Sequence, residues 1–148
     1  MTPQSFILYI CNAARDCQKA TKIPASFTIA QAAVESGWGA RTPGNNLFGI
    51  KADKSWHGDV IPVPTHEVID GVRKAVTCNF RKYLSWGDSI NDHAKFLTEN
   101  PRYHAAFLCD NAIDFTKAIA SAGYATDPRY ADVIISIIQT HQLEQYDV

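Results

Sequence analysis

Residues 27–39, FTIAQAAVESGWG, predict an almost wholly apolar helix that begins near Pro24 and ends at the glycines after Ser36. Glu35 falls in the last turn of this helix. A carboxylate beside apolar side chains is partly desolvated, which raises its pKa, and the negative end of the helix dipole acts in the same direction. A carboxyl that stays protonated near neutral pH is what a general acid requires. The alternative is a surface glutamate chosen for its helix propensity.

The regions on either side of this helix predict an α+β fold that is mainly helical. Thr2-Pro3 is typical of a helix start, and Ser85 and Asp127-Pro128 begin later helices. Between the early and late helices, residues 44–83 alternate in a strand-like pattern around Asp70-Gly71, which is a strong hairpin turn signal. Pro62 and Pro64 make the first strand of this hairpin an edge or an irregular segment. We therefore expect one domain over 1–148, with a β-lobe at about 47–83.

Composition limits the class of function. The chain has 148 residues, 46% of them hydrophobic and 20% charged, with a net charge of −1, which is typical of one globular domain. No run of Lys or Arg indicates nucleic-acid or membrane-surface binding, and no apolar stretch reaches the roughly 18 residues of a spanning helix. We expect a monomer with neither type of partner.

Cysteine and histidine spacing gives no support for a metal or a cofactor. Cys11 and Cys17 lie on one predicted helix in opposed directions and should not bridge each other, although one long-range disulfide with Cys78 or Cys109 remains open. The histidines form neither an HxxxH nor an HExxH pair, and no cysteine has zinc-ligand spacing. His93 lies on the apolar stripe of its helix and is expected to be buried.

Three blocks of sequence, in the same order, resemble the bacterial glucosaminidase domains of glycoside hydrolase family 73. They are AQAAVESGWGAR at 30–41, NNLFGIK at 45–51 and AGYATDPRYA at 122–131. Within that family the chain is similar to the C-terminal domains of flagellar rod-cap hydrolases and to phage endolysins. The resemblance covers about residues 5 to 140. It implies a lysozyme-like helical domain whose small β-hairpin lobe flanks the active-site cleft, and cleavage of the β-1,4 glycan of peptidoglycan at N-acetylglucosamine.

The resemblance also assigns catalytic residues. Glu35 matches the general acid of the family. The second carboxylate of the family lies on the β-lobe, where Glu67 is the better match and Asp59 the competitor; Asp70 is explained by turn chemistry. Tyr124 matches a residue that positions the substrate or stabilises the transition state, with a buried core tyrosine as its structural alternative. We expect water attack assisted by Glu67, and the alternatives are a covalent intermediate or attack by the 2-acetamido group of the substrate.

Other residues are predicted to contact the glycan. Asn46 and Gly49 match the cleft-lining block of the family, and Phe48 belongs either to the cleft or to the core beneath it. Aromatic rings stack on the apolar faces of sugar rings, which makes an exposed Trp or Tyr a candidate sugar platform. The predicted substrate-binding residues are therefore Trp38, Asn46, Phe48, Gly49, Trp56 and Tyr103.

Two other functions remain open at this point. One is a lytic transglycosylase or muramidase that uses Glu35 alone, and the other is a non-catalytic module that binds the cell wall. The apolar stretch at 6–10 lacks a basic flank, so we interpret it as part of a structural helix and not as a signal peptide. We expect the chain to act on the cell wall, delivered by a holin, a secretion system or appendage export.

Overall fold

The computed structural model describes all 148 residues and places five α-helices around one hydrophobic core. Its helices and strands are α1 (Pro3–Thr21), α2 (Ala25–Ser36), β1 (Val60–Ile69), β2 (Val72–Arg81), α3 (Trp86–Glu99), α4 (Ala112–Ser121) and α5 (Tyr130–Thr140). Short 3₁₀ segments cover Pro43–Asn45, Pro101–Leu108 and Leu143–Tyr146. The prediction of a mainly helical α+β fold with a small hairpin is confirmed.

Helix α2 is the central element of this core. It packs against α1, α4 and α5, and most of its residues, from Ala25 to Ala33, are buried. No side chain of its own caps its first turn. Instead, the carboxylate of Asp147 accepts hydrogen bonds of 2.7 Å from the backbone N and the hydroxyl of Ser26. The chain terminus thereby fixes the start of the helix whose other end carries Glu35.

Local capping chemistry sets several other boundaries where the sequence predicts them. The Thr2 hydroxyl accepts from the backbone N of Ser5 at the start of α1, and the Ser85 hydroxyl accepts from that of Asp88 at the start of α3. Gly37 and Gly123 end α2 and α4 in left-handed conformations. Leu97 and His93 lie on the buried face of α3, as the periodicity predicts.

The hairpin is a two-stranded antiparallel sheet in which Ile69 pairs with Val72 across the Asp70-Gly71 turn. Both turn residues have positive φ, as a type I′ turn requires. Strand β1 is continuous through Pro62 and Pro64 and is an edge strand of the two-stranded sheet, which is the first of the two alternatives expected for it. In this register the prolines occupy alternate positions where no N–H is needed for pairing with β2. The four cysteines are free thiols, and the open question of a long-range disulfide is answered in the negative.

Candidate active site

Glu35 lines two cavities that meet beside Gly49, with volumes of about 390 Å³ and 340 Å³. We call these two cavities together the cleft. Helices supply one wall and the hairpin with its preceding loop supplies the other. The remaining lining residues are Arg41, Pro43, Asn46, Phe48, Ile50, Lys51, Asp53, Val63, Thr65, Phe80, Arg81, Phe96, Tyr124 and Ala125.

The carboxyl of Glu35 has a raised pKa, although solvent reaches the residue through the open cleft. The main cause is the desolvation of the carboxyl by surrounding protein atoms, and a 3.2 Å hydrogen bond from Gln31 Nε2 acts in the opposite direction. No cation lies within ion-pair distance of this carboxyl. Any ligand that fills the cleft would displace its water and increase this desolvation. The environment therefore favours a carboxyl that holds a proton.

Tyr124 lines the cleft together with Glu35, and its hydroxyl is fixed by two neighbours. Tyr124 Oη shares a 3.0 Å hydrogen bond with His93 Nε2 and accepts one of 3.4 Å from Gln31 Nε2. Burial raises the pKa of Tyr124, and the negative charge of Glu35 adds to this effect. The phenol is therefore protonated throughout the ordinary pH range.

A tight bend between α4 and α5 holds Tyr124 in place. The φ of Gly123 is +85°, and a Cβ at this position would lie 2.7 Å from Arg102 Nη2. Arg102 donates hydrogen bonds of 3.0 Å and 2.9 Å to the carbonyl oxygens of Ala122 and Gly123. Only glycine satisfies both the backbone conformation and the close approach of the guanidinium.

Gln31 is a site residue that the sequence analysis did not single out. It lies one helical turn before Glu35, is fully buried, and contacts both Glu35 and Tyr124. Its side-chain oxygen accepts a 2.5 Å hydrogen bond from Tyr130 Oη. A large polar side chain four positions before the acid, in a mainly apolar helix, was the signal that could have identified it.

Glu67 lies on the face of β1 that also carries Val63 and Thr65, but it does not line the cleft. Its carboxylate forms a 2.6 Å ion pair with Lys51 Nζ and accepts a 3.5 Å hydrogen bond from Cys78 Sγ. The hydrogen bond from Lys51 is the main cause that lowers the pKa of Glu67; the bond from Cys78 and the charge of Lys51 add to it. Glu67 is therefore held as a carboxylate, two residues beyond the cleft wall.

The competitor Asp59 is exposed and does not line the cleft either. Its backbone oxygen accepts hydrogen bonds from Trp56 Nε1 and from the backbone N of Lys82. These bonds close the loop that precedes β1, which is a structural role for the backbone of Asp59.

Asn46 has a structural role in place of the predicted contact with sugar. It is 2% exposed, and its amide nitrogen donates to the carbonyl oxygens of Ile50 and Arg81, both at 2.9 Å. Its amide oxygen accepts from the backbone N of Phe48 and of Ile50. Two donors and two acceptors use the whole capacity of the amide, so none is left to bind a sugar. The prediction for Asn46 is wrong in this respect.

Phe48 and Gly49 lie at the base of the cleft. Phe48 is 5% exposed and stacks on His93, with ring centroids 3.8 Å apart, so it belongs to the core and presents only an edge to the cleft. Gly49 has a φ of +66°, and a Cβ there would lie 3.9 Å from Glu35 Oε2. The absence of a side chain at Gly49 keeps the base of the cleft open beside the acid.

Two aromatic residues predicted to bind substrate lie elsewhere. Tyr103 is 3% exposed in the hydrophobic core, so no sugar can stack on it. Trp38 packs edge-on against Phe6 and His141, with centroids 5.9 Å and 4.9 Å apart, and does not line the cleft. Burial therefore argues against Tyr103 as a sugar platform, and Trp38 packs against the core, which is the alternative to a sugar platform for this ring.

Trp56 lines a separate cavity of about 390 Å³ that adjoins the cleft, since both are lined by Asp53, Arg81 and Phe96. The Arg81 guanidinium lies 5.0 Å from the centroid of the Trp56 ring. Arg81 also bonds to Asp92 of α3 at 3.0 Å, so the shared wall is fixed to the helical body. We call the cleft and this adjoining cavity together the groove.

No cluster of three or more His, Cys, Asp or Glu side chains is arranged to hold a metal ion. None of the helices is both long enough and apolar enough to cross a membrane.

Comparison with known proteins identifies similar domains. Residues 11–143 match the family model named Glucosaminidase, described as mannosyl-glycoprotein endo-beta-N-acetylglucosaminidase. The chain is 41% identical over 145 residues to the peptidoglycan hydrolase FlgJ of Vibrio parahaemolyticus, covering 93% of this chain and 47% of that protein. It is 37% identical to the exo-glucosaminidase LytG of Bacillus subtilis, covering 82% and 45%. The chain thus spans less than half the length of these relatives.

A solved structure extends this similarity to the fold. The glycoside hydrolase domain of Salmonella typhimurium FlgJ, in a C-terminally truncated form, superposes with a TM-score of 0.83 at 37% sequence identity. The match covers 95% of this chain and 98% of that one. The helices, the hairpin and the cleft between them are therefore the architecture of a known type of glycoside hydrolase domain.

Proposed function

Because this chain belongs to the glucosaminidase family, as its three sequence blocks predict, we propose that it hydrolyses the glycan of peptidoglycan. The bond cleaved is the β-1,4 linkage at N-acetylglucosamine, as in an endo-β-N-acetylglucosaminidase. The observation that carries this proposal is the carboxyl of Glu35, desolvated in an open cleft that Tyr124 also lines, with Gln31 bonded to both residues. Glycan hydrolysis requires an acid that retains its proton until the leaving oxygen receives it.

Glu35 is the general acid of this proposed reaction. It transfers its proton to the glycosidic oxygen as the bond to the anomeric carbon breaks, and positive charge develops on the sugar ring. Tyr124 lines the same cavity, and its proposed role is to hold the reacting sugar against the acid. Neither residue needs a cofactor for these steps.

Glu67 is the base that activates the attacking water. Its ion pair with Lys51 keeps it ionised, which a general base requires. Glu67 lies two residues beyond Thr65, which lines the cleft, and on the same face of β1. Water attack places the two carboxyl groups about 6.5–9.5 Å apart, whereas a covalent intermediate needs about 5 Å. Among the helical segments, the hairpin mainly contacts Pro43–Asn45. In the proposed reaction it closes over the glycan as a lid.

Further sugars of the strand lie in the adjoining cavity beside Trp56. A glycan is a linear polymer, and the cavity beside Trp56 adjoins the cleft of Glu35 at Asp53, Arg81 and Phe96. Polar and charged side chains dominate this end of the groove, which suits sugar hydroxyls and acetamido groups. One chain contains the whole groove, so the proposed acting form is a monomer at the bacterial cell wall.

Analysis of the digestion products tests this proposal. Purified peptidoglycan is incubated with the protein, and the soluble fragments are reduced and analysed by mass spectrometry. We expect fragments with reducing N-acetylglucosamine ends. Ends of 1,6-anhydromuramic acid would indicate a lytic transglycosylase, and reducing N-acetylmuramic acid ends a muramidase. Absence of any released fragment, with the wild-type protein bound to the wall, would indicate a binding module.

A further inference from the structure

The most unusual group of side chains beneath the cleft is a buried polar cluster formed by Gln31, His93, Tyr124 and Tyr130, which we call the Gln31 cluster. These residues come from α2, α3, the bend after α4, and α5, so the cluster joins four parts of the helical core. Gln31 is its centre and is fully buried on a helix whose other inward positions are mostly Ala, Ile and Phe. A buried amide is costly unless its hydrogen bonds are made.

The hydrogen bonds of Gln31 fix the direction of its amide. Tyr130 Oη donates to Gln31 Oε1 at 2.5 Å, so the carbonyl side faces α5. The NH₂ side therefore faces the cleft, where it donates to Glu35 Oε1 at 3.2 Å and to Tyr124 Oη at 3.4 Å. An amide nitrogen has two N–H donors, and here each has one acceptor.

His93 secures the other end of the cluster. It is 1% exposed and lies between Phe27 and Phe48, stacked with both rings. Burial lowers the pKa of His93 to about 3, so the ring is neutral when it bonds to Tyr124. Tyr124 is thus held from two sides, by a neutral imidazole and by the amide of Gln31.

We propose that Gln31 is a positioning residue that sets the geometry between Glu35 and Tyr124, and that Tyr130 fixes its orientation. This inference rests on the proposed hydrolase function. When Glu35 has given up its proton, the N–H of Gln31 stabilises the carboxylate that remains, and it opposes the effect of desolvation on this group. A hydrocarbon side chain would fill the same space but would offer neither contact.

Other groups face Glu35 from the elements around the cleft, and they stay unchanged in the variants below. They are Arg41 after α2, Lys51 and Asp53 before β1, Arg81 of β2, and Tyr124 after α4. A change in the pH dependence on alteration of Gln31 therefore reports on the contact between Gln31 and Glu35.

Three variants test the positioning role. Gln31→Met keeps the volume and removes the amide, Tyr130→Phe removes only the hydroxyl that orients it, and Thr116→Val is the control. Thr116 is equally buried and donates a 2.8 Å hydrogen bond to Ala112 O within α4, away from the cleft. The kinetic readouts are kcat, KM and the pH profile of kcat, measured with peptidoglycan-derived oligosaccharides as substrate. The stability readout is the thermal unfolding temperature of each protein.

For Gln31→Met we expect kcat to fall about 10- to 100-fold with KM within about twofold of the wild type. The basic limb of the pH profile, which reports the acid, should move up by about 0.5 to 1 pH unit, because a hydrogen bond to the charged form is lost. Tyr130→Phe should also lower kcat and raise the pH of the basic limb, but by smaller amounts. Thr116→Val should lower only the unfolding temperature.

The proposal is overturned if Gln31→Met and Tyr130→Phe keep the wild-type kcat and basic limb, or if Thr116→Val lowers kcat as much as they do. Should Gln31→Met fail to fold, Tyr130→Phe decides alone, since it leaves no cavity. Glu35→Gln is measured alongside, to distinguish failure of the proposed hydrolase function from failure of the positioning role of Gln31. If that variant is inactive while Gln31→Met is normal, only the positioning role fails, and if it is active, the proposed function fails.

Discussion

The end of α2 and the hairpin each present a glutamate, Glu35 and Glu67, and the two regions have opposite effects on it. At Glu35 the surrounding protein atoms desolvate the carboxyl, which raises its pKa although solvent reaches the residue through the open cleft. At Glu67 the contacts with Lys51 and Cys78 outweigh desolvation and lower the pKa. Glu35 has a neutral amide as its only hydrogen-bond donor, whereas Glu67 has an ammonium group at 2.6 Å. The pKa is raised at the first and lowered at the second, which separates an acid from a base.

The two regions also differ in how firmly they hold their glutamate. Glu35 lies on α2, the most buried helix of the core. Asp147 caps the first turn of this helix, and Gln31, one turn before Glu35, donates a hydrogen bond to the Glu35 carboxyl. Glu67 stands on a two-stranded ribbon that contacts itself more than the helical body. A proposed acid on the core and a proposed base on a hairpin with fewer contacts to the core suit a cleft that closes on a polymer. Each prediction below alters one side of this comparison.

The largest expected effect comes from Glu35→Gln, which removes the acid and keeps its shape. Turnover of peptidoglycan should fall about 10³- to 10⁴-fold, because the amide cannot protonate the leaving oxygen. The free energy of unfolding should change by less than about 0.5 kcal/mol, since the site is open to solvent. Release of reducing ends and thermal unfolding measure the two quantities. Glu144→Gln, at an exposed glutamate outside the groove, is the control, and retention of a tenth of the rate would contradict the role of Glu35.

The next effect is that of Glu67→Gln, which removes the proposed base on the hairpin. We expect turnover to fall about 10²-fold, less than for Glu35→Gln, because water can still attack without assistance. Added azide, a small nucleophile that needs no base, should restore part of the rate. A wild-type rate in Glu67→Gln would instead favour Asp59 or the acetamido group of the substrate, and Asp59→Asn distinguishes between these two.

Sequence alone predicts the parts of this comparison that depend on local chemistry. The caps at Thr2 and Ser85, the turn at Asp70-Gly71 and the end of α2 follow from residues within four positions of each other. The position of Glu35 in the last turn follows from the same patterns. These features need no knowledge of the rest of the fold.

The features that sequence reasoning missed depend on contacts between distant segments. Asn46 loses its predicted contact with sugar because Arg81 O, 35 residues away, takes one of its donors. Tyr103 was predicted to contact the glycan, and neighbours such as Phe96 and Tyr124 cover it. Gln31 gains its importance only when Tyr130, 99 residues later, reaches its carbonyl. Spacing along the chain does not reveal such pairs, whereas the three-dimensional packing does.

A pair of glycine variants sharpens the comparison between the cleft and the hairpin. Gly49 and Gly71 both have positive φ, +66° and +78°, so alanine at either should cost about 1–2 kcal/mol of backbone strain. Only at Gly49 does the new methyl group meet the site, 3.9 Å from Glu35 Oε2, while at Gly71 nothing lies within 4 Å. We expect Gly49→Ala to lower kcat/KM about tenfold and Gly71→Ala to leave it unchanged. Equal losses in both variants would mean that strain alone, and not the open base of the cleft, governs activity.

The smallest expected effect is a shift in pH dependence when the ion pair on the hairpin is removed. Lys51→Met takes away the main cause of the lowered pKa of Glu67, while the hydrogen bond from Cys78 stays in place. The pKa of Glu67 then rises towards its ordinary value. A base must be ionised to act, so the acidic limb of the pH profile should move to higher pH, with the rate at neutral pH reduced only a few-fold. The basic limb reports Glu35 and should stay fixed.

Lys54→Met, at an exposed lysine in the same loop that forms no ion pair, is the matched control. An acidic limb that does not move in Lys51→Met would mean that Glu67 does not titrate in the reaction, and the contrast between a protonated acid on α2 and an ionised base on the hairpin would then lose its second member.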